Sequence, residues 1–304
     1  MADTVDTKPK GLSGGNDIAD RPMRGMLLYG LATIFFSCSD ITAKYLNQTL
    51  VPVEIAWMRY LGFTILMVPL LLRHGPGVFR SARPMLQILR GLGLVCAAIF
   101  FIHTTRYLPI AEASAIGSVS PILITALSIP FLGEKVGIRR WSAVLVGFTG
   151  VLIVMRPGTE AFQPAGLLAI LSASGWAIAM IVTRAMRGAD GTPTMLGWTA
   201  VTGFVVLTAL LPFNFVVPGW NEIGLGAFLA LVSTTGQWLI VLAYRCTSAS
   251  LLASFSFIQL IWSTTLGYFV FDAVPDHWTI VGGCFIAASC IYTAHRERLK
   301  ARAG

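Results

Sequence analysis

Long apolar runs separated by short polar connections fill almost the whole chain. An α-helix rises 1.5 Å per residue, so about 20 mostly apolar residues cross a hydrocarbon core about 30 Å thick. Ten runs reach or approach this length, and most lack the polar stripe of a helix on a soluble protein. The predicted spans are Met23–Asn47, Pro52–Leu72, Met85–Tyr107, Pro109–Leu132, Arg140–Met155, Pro164–Met186, Pro193–Phe213, Glu222–Arg245, Ser248–Phe271 and His277–Tyr292.

These runs are too long and too uniformly apolar for the strands of a membrane β-barrel, which are short and alternate apolar with polar residues. A helix satisfies its backbone hydrogen-bonding groups internally, and lipid offers no other partners for them. The sequence therefore predicts an all-α membrane protein with ten transmembrane helices.

The distribution of Lys and Arg predicts the orientation of these helices. With the N-terminus inside, most basic residues fall on the cytoplasmic side, and only Lys44, Arg106 and Arg156 fall outside. Cytoplasmic loops are enriched in Lys and Arg, so both termini are predicted to be cytoplasmic. The polar, Gly-rich residues 1–22 are expected to form a disordered tail, and residues 297–304 a short basic tail.

The net charge of +8 does not indicate a nucleic-acid-binding protein, because the basic residues are spread over many loops rather than gathered on one face. The five cysteines show no metal-ligand spacing. No Walker-type phosphate loop is present either. We therefore expect no nucleic acid, no metal and no cofactor.

The chain divides near residue 160 into two halves of five predicted spans, residues 23–156 and 164–296. Leu27–Lys44 aligns with Leu167–Arg184, and both ranges end in a basic residue. Two related halves with an odd number of spans must cross the membrane in opposite senses. Inverted repeats are typical of transporters, which bind substrate near the midplane between the halves and rock one half against the other.

Three runs of the first half carry a resemblance to a known family: Arg106–Pro121 (RYLPIAEASAIGSVSP), Phe131–Glu134 (FLGE) and Gly147–Val154 (GFTGVLIV). They resemble the EamA repeat of the drug/metabolite transporter superfamily. In the second half Val270–Asp272 stands in place of the Leu-Gly-Glu element. The resemblance implies a ten-helix transporter of small metabolites in the bacterial inner membrane, most similar to YddG-like exporters of aromatic amino acids.

Several ionisable residues fall in the outer half of the first repeat: Asp40, Glu54, Arg59, His103 and Glu112. Charges inside a bilayer are costly and usually face protein or water. One interpretation is mutual neutralisation, for example of Arg59 by Asp40 or Glu54, with Glu54, Arg59 and Glu112 as structural charges. The other is that Asp40, His103 or Glu112 contacts the substrate or exchanges a proton.

The fourth span contains the clearest hinge candidate. Pro121 has no amide hydrogen and should leave the Gly117 carbonyl without its helical partner. Ser118 and Ser120 lie in the same turn. Freed backbone near the midplane can line a cavity and bind polar groups of a substrate, while a static kink is the alternative.

The second repeat places aromatic and amide side chains at central depth. Trp usually favours the membrane interface, so a central Trp suggests a partner for its indole N–H. Aromatic faces with a few polar groups suit a neutral or zwitterionic substrate, although the two Gln side chains could instead bond to each other. The substrate-binding candidates here are Trp176, Ser233, Gln237, Trp238, Gln259 and Trp262.

These features predict a secondary transporter that exports small neutral or zwitterionic metabolites, such as aromatic amino acids, by alternating access. Either gradient-driven diffusion or proton exchange would move the cargo. Small residues four apart, such as Ala143 and Gly147, allow close helix approach, so we expect a monomer or a weak homodimer.

Two other transport functions and one enzymatic function compete with this prediction. An aromatic cavity with Asp40 would also serve a lipophilic-cation drug exporter. A nucleotide-sugar or sugar-phosphate antiporter would need several central basic residues, which the second repeat lacks. Ser172–Gly175 faintly resembles an intramembrane serine protease motif, but the repeat offers no intramembrane His to activate the serine, so we expect no enzyme.

Overall fold

The computed structural model describes residues 21–134, 136–155, 164–213, 215–272 and part of the range 277–295. Throughout these residues the regular structure is helical. The helices are α1 (Pro22–Leu46), α2 (Pro52–His74), α3 (Pro84–Tyr107), α4 (Ile110–Gly117), α5 (Ser120–Leu132), α6 (Ile138–Met155), α7 (Ala165–Ala185), α8 (Thr192–Leu210), α9 (Trp220–Cys246), α10 (Ala249–Phe255) and α11 (Ile258–Phe271).

Proline and glycine explain several helix ends. Pro22, Pro84 and Pro193 lie in the first turns of α1, α3 and α8, where an amide hydrogen would have no helical partner. Gly133 ends α5 with a φ of 63°, the left-handed conformation that glycine adopts without a steric penalty.

Within the described residues, seven helical segments are long and apolar enough to cross a membrane. Helices α2 and α6, which coincide with the predicted second and fifth spans, are not among them. The described residues within the last predicted span are helical, but much of that span, residues 1–20 and residues 297–304 lie outside the described residues. Of the predicted N-terminal tail, Arg21 and Pro22 are described, and Pro22 is already the first residue of α1. The count of ten spans and the cytoplasmic position of the termini therefore stay predictions. The seven segments are residues 22–46, 84–107, 110–132, 165–185, 192–213, 220–246 and 251–271.

Two of the predicted spans are each divided into two helices. The fourth span breaks between Gly117 and Ser120, next to Pro121, as the missing amide hydrogen of proline favours. The ninth span breaks between Phe255 and Ile258, where no proline or glycine indicated it. The ninth span is thus long enough to cross the membrane but consists of two helices, and its break lies at the place in the second repeat that corresponds to the break in the fourth span.

The helix contacts follow the internal repeat. Helix α1 packs along α9, and α3 packs along α7. If the two repeats are exchanged, α1 takes the place of α7 and α9 that of α3, so that one of these pairs becomes the other. The same exchange converts the contact of α4 with α11 into the contact of α10 with α5. Helices α2 and α8, which such an exchange would swap, lie against each other. The packing is thus the arrangement expected for two repeats related by a two-fold axis.

Helices α3 and α7 approach each other at backbone distance. A Cβ atom on Gly93 would lie 2.8 Å from the carbonyl oxygen of Gly175, and one on Gly175 would lie 2.7 Å from that of Gly93. Small residues allow such approach between membrane helices, where lipid offers no hydrophobic driving force. This contact brings α3 of the first repeat and α7 of the second together at one side of the space between the repeats.

Candidate functional site

A cavity of about 160 Å³ lies at the centre of the bundle. Both repeats contribute to its wall: the first through α1 to α5 and the second through α7 to α11. The two helix breaks border it, through Gly117, Ser118, Ser120 and Pro121 on one side and Ser256 on the other. Its position between the repeats is the place where inverted-repeat transporters bind their substrates.

Most of the predicted site residues lie on the wall of this cavity. The predicted hinge residues Gly117 and Pro121 border it as well. Their roles in binding and hinge motion remain predictions. The predicted substrate-binding residues on the wall are Asp40, Ser118, Ser120, Trp176, Ser233, Gln237 and Gln259.

Three predicted residues lie away from the cavity wall. His103 is half-buried, and its ring centroid is 5.4 Å from that of Tyr107. Trp238 packs against the apolar core formed around α2 and α8. The Trp262 indole N–H is buried and has no hydrogen-bond partner among the described residues, so the partner expected for it is not found. The position of a Trp or His within an apolar run indicates its depth in the membrane. It does not indicate which face of the helix carries the side chain.

An ion pair between Asp40 and Arg59 lies on the cavity wall, toward the end of the bundle predicted to face outside. An Arg59 Nη–H donates to Ser39 Oγ at 2.6 Å, and the same nitrogen is 3.7 Å from Asp40 Oδ1. The Gln259 amide donates to Asp40 Oδ2 at 3.3 Å, which ties α1 to α11 of the other repeat. The Nε atom of Arg59 is buried and has no hydrogen-bond partner among the residues that the structure describes. Arg59 therefore pairs with Asp40, as one of the two interpretations predicted. Arg59, which that interpretation treats as a structural charge, also faces the cavity.

Glu54 and Glu112, the other two residues predicted to be structural charges, do not line the cavity. Glu54 is fully buried, and its carboxylate accepts a hydrogen bond from the Val216 amide at 3.3 Å. Glu112 is half-buried and within electrostatic range of Lys44. The Lys44 ammonium lies 5.4 Å from the centroid of the Phe271 ring. These contacts connect the helix ends that are predicted to face outside. Among the described residues that line the cavity, Asp40 and Arg59 form the ionic pair.

The rest of the wall is aromatic and sparsely polar. The rings of Phe36 and Trp176 meet edge to face at 5.5 Å across the repeats. The Gln237 amide nitrogen and the Ser114 hydroxyl are buried, and within the described part of the chain neither has a hydrogen-bond partner. The bond expected between Gln237 and Gln259 does not form, because Gln259 donates to Asp40 instead. Unpaired polar groups on an enclosed wall are costly unless a bound molecule satisfies them.

The sequence did not single out several aromatic residues of the wall, namely Phe36, Tyr60, Phe63 and Phe101. Phe and Tyr are common along all of these helices, so composition alone does not separate cavity-facing positions from packed ones. Only the tertiary arrangement identifies them.

Asp190, in the turn between α7 and α8, joins the two repeats at the end of the bundle predicted to be cytoplasmic. Its carboxylate accepts hydrogen bonds from the Ser81 hydroxyl, from the Ala82 amide at 2.9 Å and from the Gln87 amide at 2.7 Å. Burial raises the pKa of Asp190, but these hydrogen bonds outweigh it and hold the pKa below its ordinary value. The ionised carboxylate thus fastens the α2–α3 connection to the second repeat.

Glu134, the last residue of the FLGE motif, makes a second connection at this end. Its carboxylate accepts a hydrogen bond from the Ala249 amide at 2.9 Å and lies 3.9 Å from the Arg184 guanidinium. Arg184 also donates to the Tyr244 carbonyl at 3.3 Å. The glutamate therefore caps the start of α10, which borders the cavity-facing break of the second repeat.

Known proteins resemble the chain over nearly its full length. Residues 23–156 and 163–294 each match the EamA-like transporter family. The S-adenosylmethionine uptake transporter of Rickettsia felis is 25% identical over 283 residues, which cover 93% of this chain and 96% of the relative. The riboflavin transporter of Rhizobium johnstonii is 27% identical, covering 93% and 94%. The pseudopaline exporter of Pseudomonas aeruginosa is 28% identical, covering 92% and 99%.

A solved crystal structure shares the fold. It superimposes with a TM-score of 0.73 at 20% sequence identity, and the match covers 90% of this chain and 98% of the other.

Proposed function

The chain belongs to the EamA-like transporter family, and from that premise we propose that it exports amino acids and related zwitterionic metabolites through the central cavity. That it is a multi-pass transporter of small molecules in the bacterial inner membrane, and not an enzyme, follows from the family and its relatives. The observation that supports an amino-acid cargo is the Asp40–Arg59 pair on the cavity wall.

The pair offers complementary charges to both ends of an amino acid. Carboxylates bind guanidinium groups through two parallel hydrogen bonds, and Arg59 retains a buried, unpartnered Nε–H. Asp40 lies 3.7 Å from the same guanidinium and would accept the ammonium group of the cargo. Because the ammonium and carboxylate of an α-amino acid are attached to one carbon, two opposite charges this close together match them.

The aromatic part of the wall supports a preference for apolar side chains. Phe36 and Trp176 present rings to the cavity, and burial of a large apolar side chain contributes about 1.5–3 kcal/mol. The unpartnered Gln237 amide and Ser114 hydroxyl can bond to polar atoms of the cargo. The wall therefore combines few polar groups with a mainly apolar lining, as small-molecule sites usually do.

The names of the relatives support a small-metabolite cargo and differ in direction. They include an uptake transporter for S-adenosylmethionine and an exporter of pseudopaline. S-adenosylmethionine contains the ammonium and carboxylate groups of methionine, which fits a site built around paired charges. Export of amino acids is the direction we propose for this chain.

Counterflow in proteoliposomes tests this proposal. Purified protein is reconstituted in vesicles loaded with phenylalanine, tryptophan, methionine or threonine, and uptake of the labelled amino acid is followed with and without a pH gradient. We expect saturable exchange that Asp40→Asn and Arg59→Gln each reduce at least about tenfold, because each leaves a buried charge unpaired. Acceleration by the gradient would indicate proton exchange.

Glu222→Gln provides the matched control. Glu222 lies in the first turn of α9, away from the cavity wall, and its change should leave exchange unaltered. Absence of exchange for every amino acid would overturn the proposal. Exchange of a lipophilic cation in its place would identify the drug exporter instead.

A further inference from the structure

A second arginine, Arg90, lies within a membrane helix and is completely buried. It is the seventh residue of α3, and its exposed fraction is 0%. Its place in the sequence, close to Arg80 and Arg83, assigned it to the basic cytoplasmic residues that set the orientation. The structure instead places its side chain inside the protein, between α3, α7 and α8.

The partners of Arg90 are all neutral. Its Nε–H donates to the Thr183 hydroxyl at 2.7 Å, and Nη1 donates to the Met195 carbonyl at 3.0 Å and to the Thr199 hydroxyl. The Nη2 nitrogen is buried, and no described residue forms a hydrogen bond with it. Among the described residues, no carboxylate forms a salt bridge with it.

Such an arrangement is expensive if its only purpose is to join helices. Removing a cation from water costs several kcal/mol, and neutral hydrogen bonds offset only part of that cost. A Met or Leu of similar size would join the same helices without the penalty. A buried arginine with two free N–H groups is therefore more readily explained by an anion that binds there during part of a cycle.

The position of Arg90 connects it to the path of the cargo. Thr199, to which it donates, lines the central cavity, and so does Tyr60, which lies within electrostatic range of both Arg90 and Arg59. Arg90 is six residues from the inner end of α3, about 9 Å in depth, whereas Arg59 is seven residues from the outer end of α2, about 10 Å. The two arginines thus lie at different depths, each near the end of its own helix, and only Arg59 lines the cavity itself.

The hydrogen bonds of Arg90 all cross between the repeats. Arg90 belongs to the first repeat, and Thr183, Met195 and Thr199 belong to the second. If one repeat rocks against the other, the guanidinium loses its partners at the moment when the cytoplasmic side opens. An incoming carboxylate could then take their place.

We propose that Arg90 is a second carboxylate-binding site, which the cargo occupies in the state open to the cytoplasm, whereas it binds Arg59 in the state open to the outside. The proposal rests on the proposed amino-acid function. It is a site for one state only, because a group with no exposed surface cannot bind cargo in the conformation described here.

Measuring KM separately on the two faces tests this site. Proteoliposomes with a single orientation, obtained by blocking the opposite population with a membrane-impermeant reagent, are assayed for methionine exchange from each side. Arg90→Gln can keep neutral hydrogen bonds but removes the charge. It should raise KM at the cytoplasmic face about tenfold or more, the loss expected for a charged hydrogen bond, and leave KM at the outer face unchanged.

Two further variants separate binding from structure. Thr183→Val removes one partner of Arg90 without removing the cation, and should not raise KM at either face. Arg90→Lys keeps the charge but loses the planar guanidinium. It should raise the cytoplasmic KM less than Gln does, and it decides the question if Arg90→Gln does not fold.

Equal changes of KM at both faces, or no change, would show that Arg90 is structural. In that case wild-type methionine exchange would still support the proposed function. If the wild type carries none of the amino acids and exchanges only riboflavin, which has no carboxylate, both the proposed function and this site are wrong.

Discussion

The backbone contact between Gly93 and Gly175 predicts a large effect from a single added methyl group. In Gly93→Ala the new Cβ would lie 2.8 Å from the Gly175 carbonyl oxygen and 3.4 Å from the Ala179 Cβ. The nearest atom belongs to backbone, which cannot rotate away as a flexible side chain can. Helices α3 and α7 would have to separate by several tenths of an ångström, and overpacking of this kind costs about 1–3 kcal/mol.

Gly224→Ala is the matched control, since a Cβ at Gly224 in α9 would meet nothing within 4 Å. Alanine is a better helix former than glycine by about 0.5–1 kcal/mol, so this change should be neutral or slightly stabilising. Thermal unfolding of both purified variants in the same detergent gives the comparison, with methionine exchange as a second readout. If Gly93→Ala is as stable as Gly224→Ala, the close approach of α3 and α7 does not hold the bundle together.

Three further results are expected. Asp190→Asn should lower the Tm near pH 7, and the difference from wild type should shrink as the pH falls below about 4. Because folding lowers the pKa of Asp190, its carboxylate contributes stability above the ordinary pKa of Asp, and this stability is lost as the pH falls through the pKa of the folded protein. An unchanged difference in unfolding scans at acidic pH would contradict this. Glu134→Gln should destabilise by about 1–3 kcal/mol through the weakened cap of α10, and an unaltered Tm would show that the cap is dispensable. Trp176→Ala should raise KM for tryptophan about tenfold but not for threonine. An equal rise of KM for both amino acids in counterflow would show that Trp176 does not contact the side chain of the cargo.

The helices and the repeat could be predicted from the sequence because both depend on local composition. Runs of apolar residues and the position of Pro121 are visible along the chain, and each has a direct structural consequence. The break at Ser256 was not predicted, since no residue there disfavours a helix in isolation. It arises where α10 and α11 pack against the corresponding helices of the first repeat.

The faces of the helices explain which parts of the candidate site could not be predicted. Asp40 and Gln237 could be predicted because they are polar residues within apolar spans, and both lie on the cavity wall. Trp238 is adjacent to Gln237 in sequence, but a helix turns 100° between neighbours, so its side chain enters the core. Arg90 was placed among the cytoplasmic basic residues from its position near a span end, and only its tertiary neighbours show that its side chain is buried.

On the proposed function, the length of the Asp40–Arg59 contact has a consequence for exchange of the cargo. Charge-assisted hydrogen bonds between nitrogen and carboxylate are about 2.7–2.9 Å long, whereas this contact is 3.7 Å. The pair therefore neutralises its own charges without forming its strongest bond. A cargo that presents an ammonium to Asp40 and a carboxylate to Arg59 replaces one weak contact with two shorter ones. A cargo with only one of these charges would leave the other member of the pair unsatisfied in a buried site, which is why amino acids should be preferred over simple amines or acids.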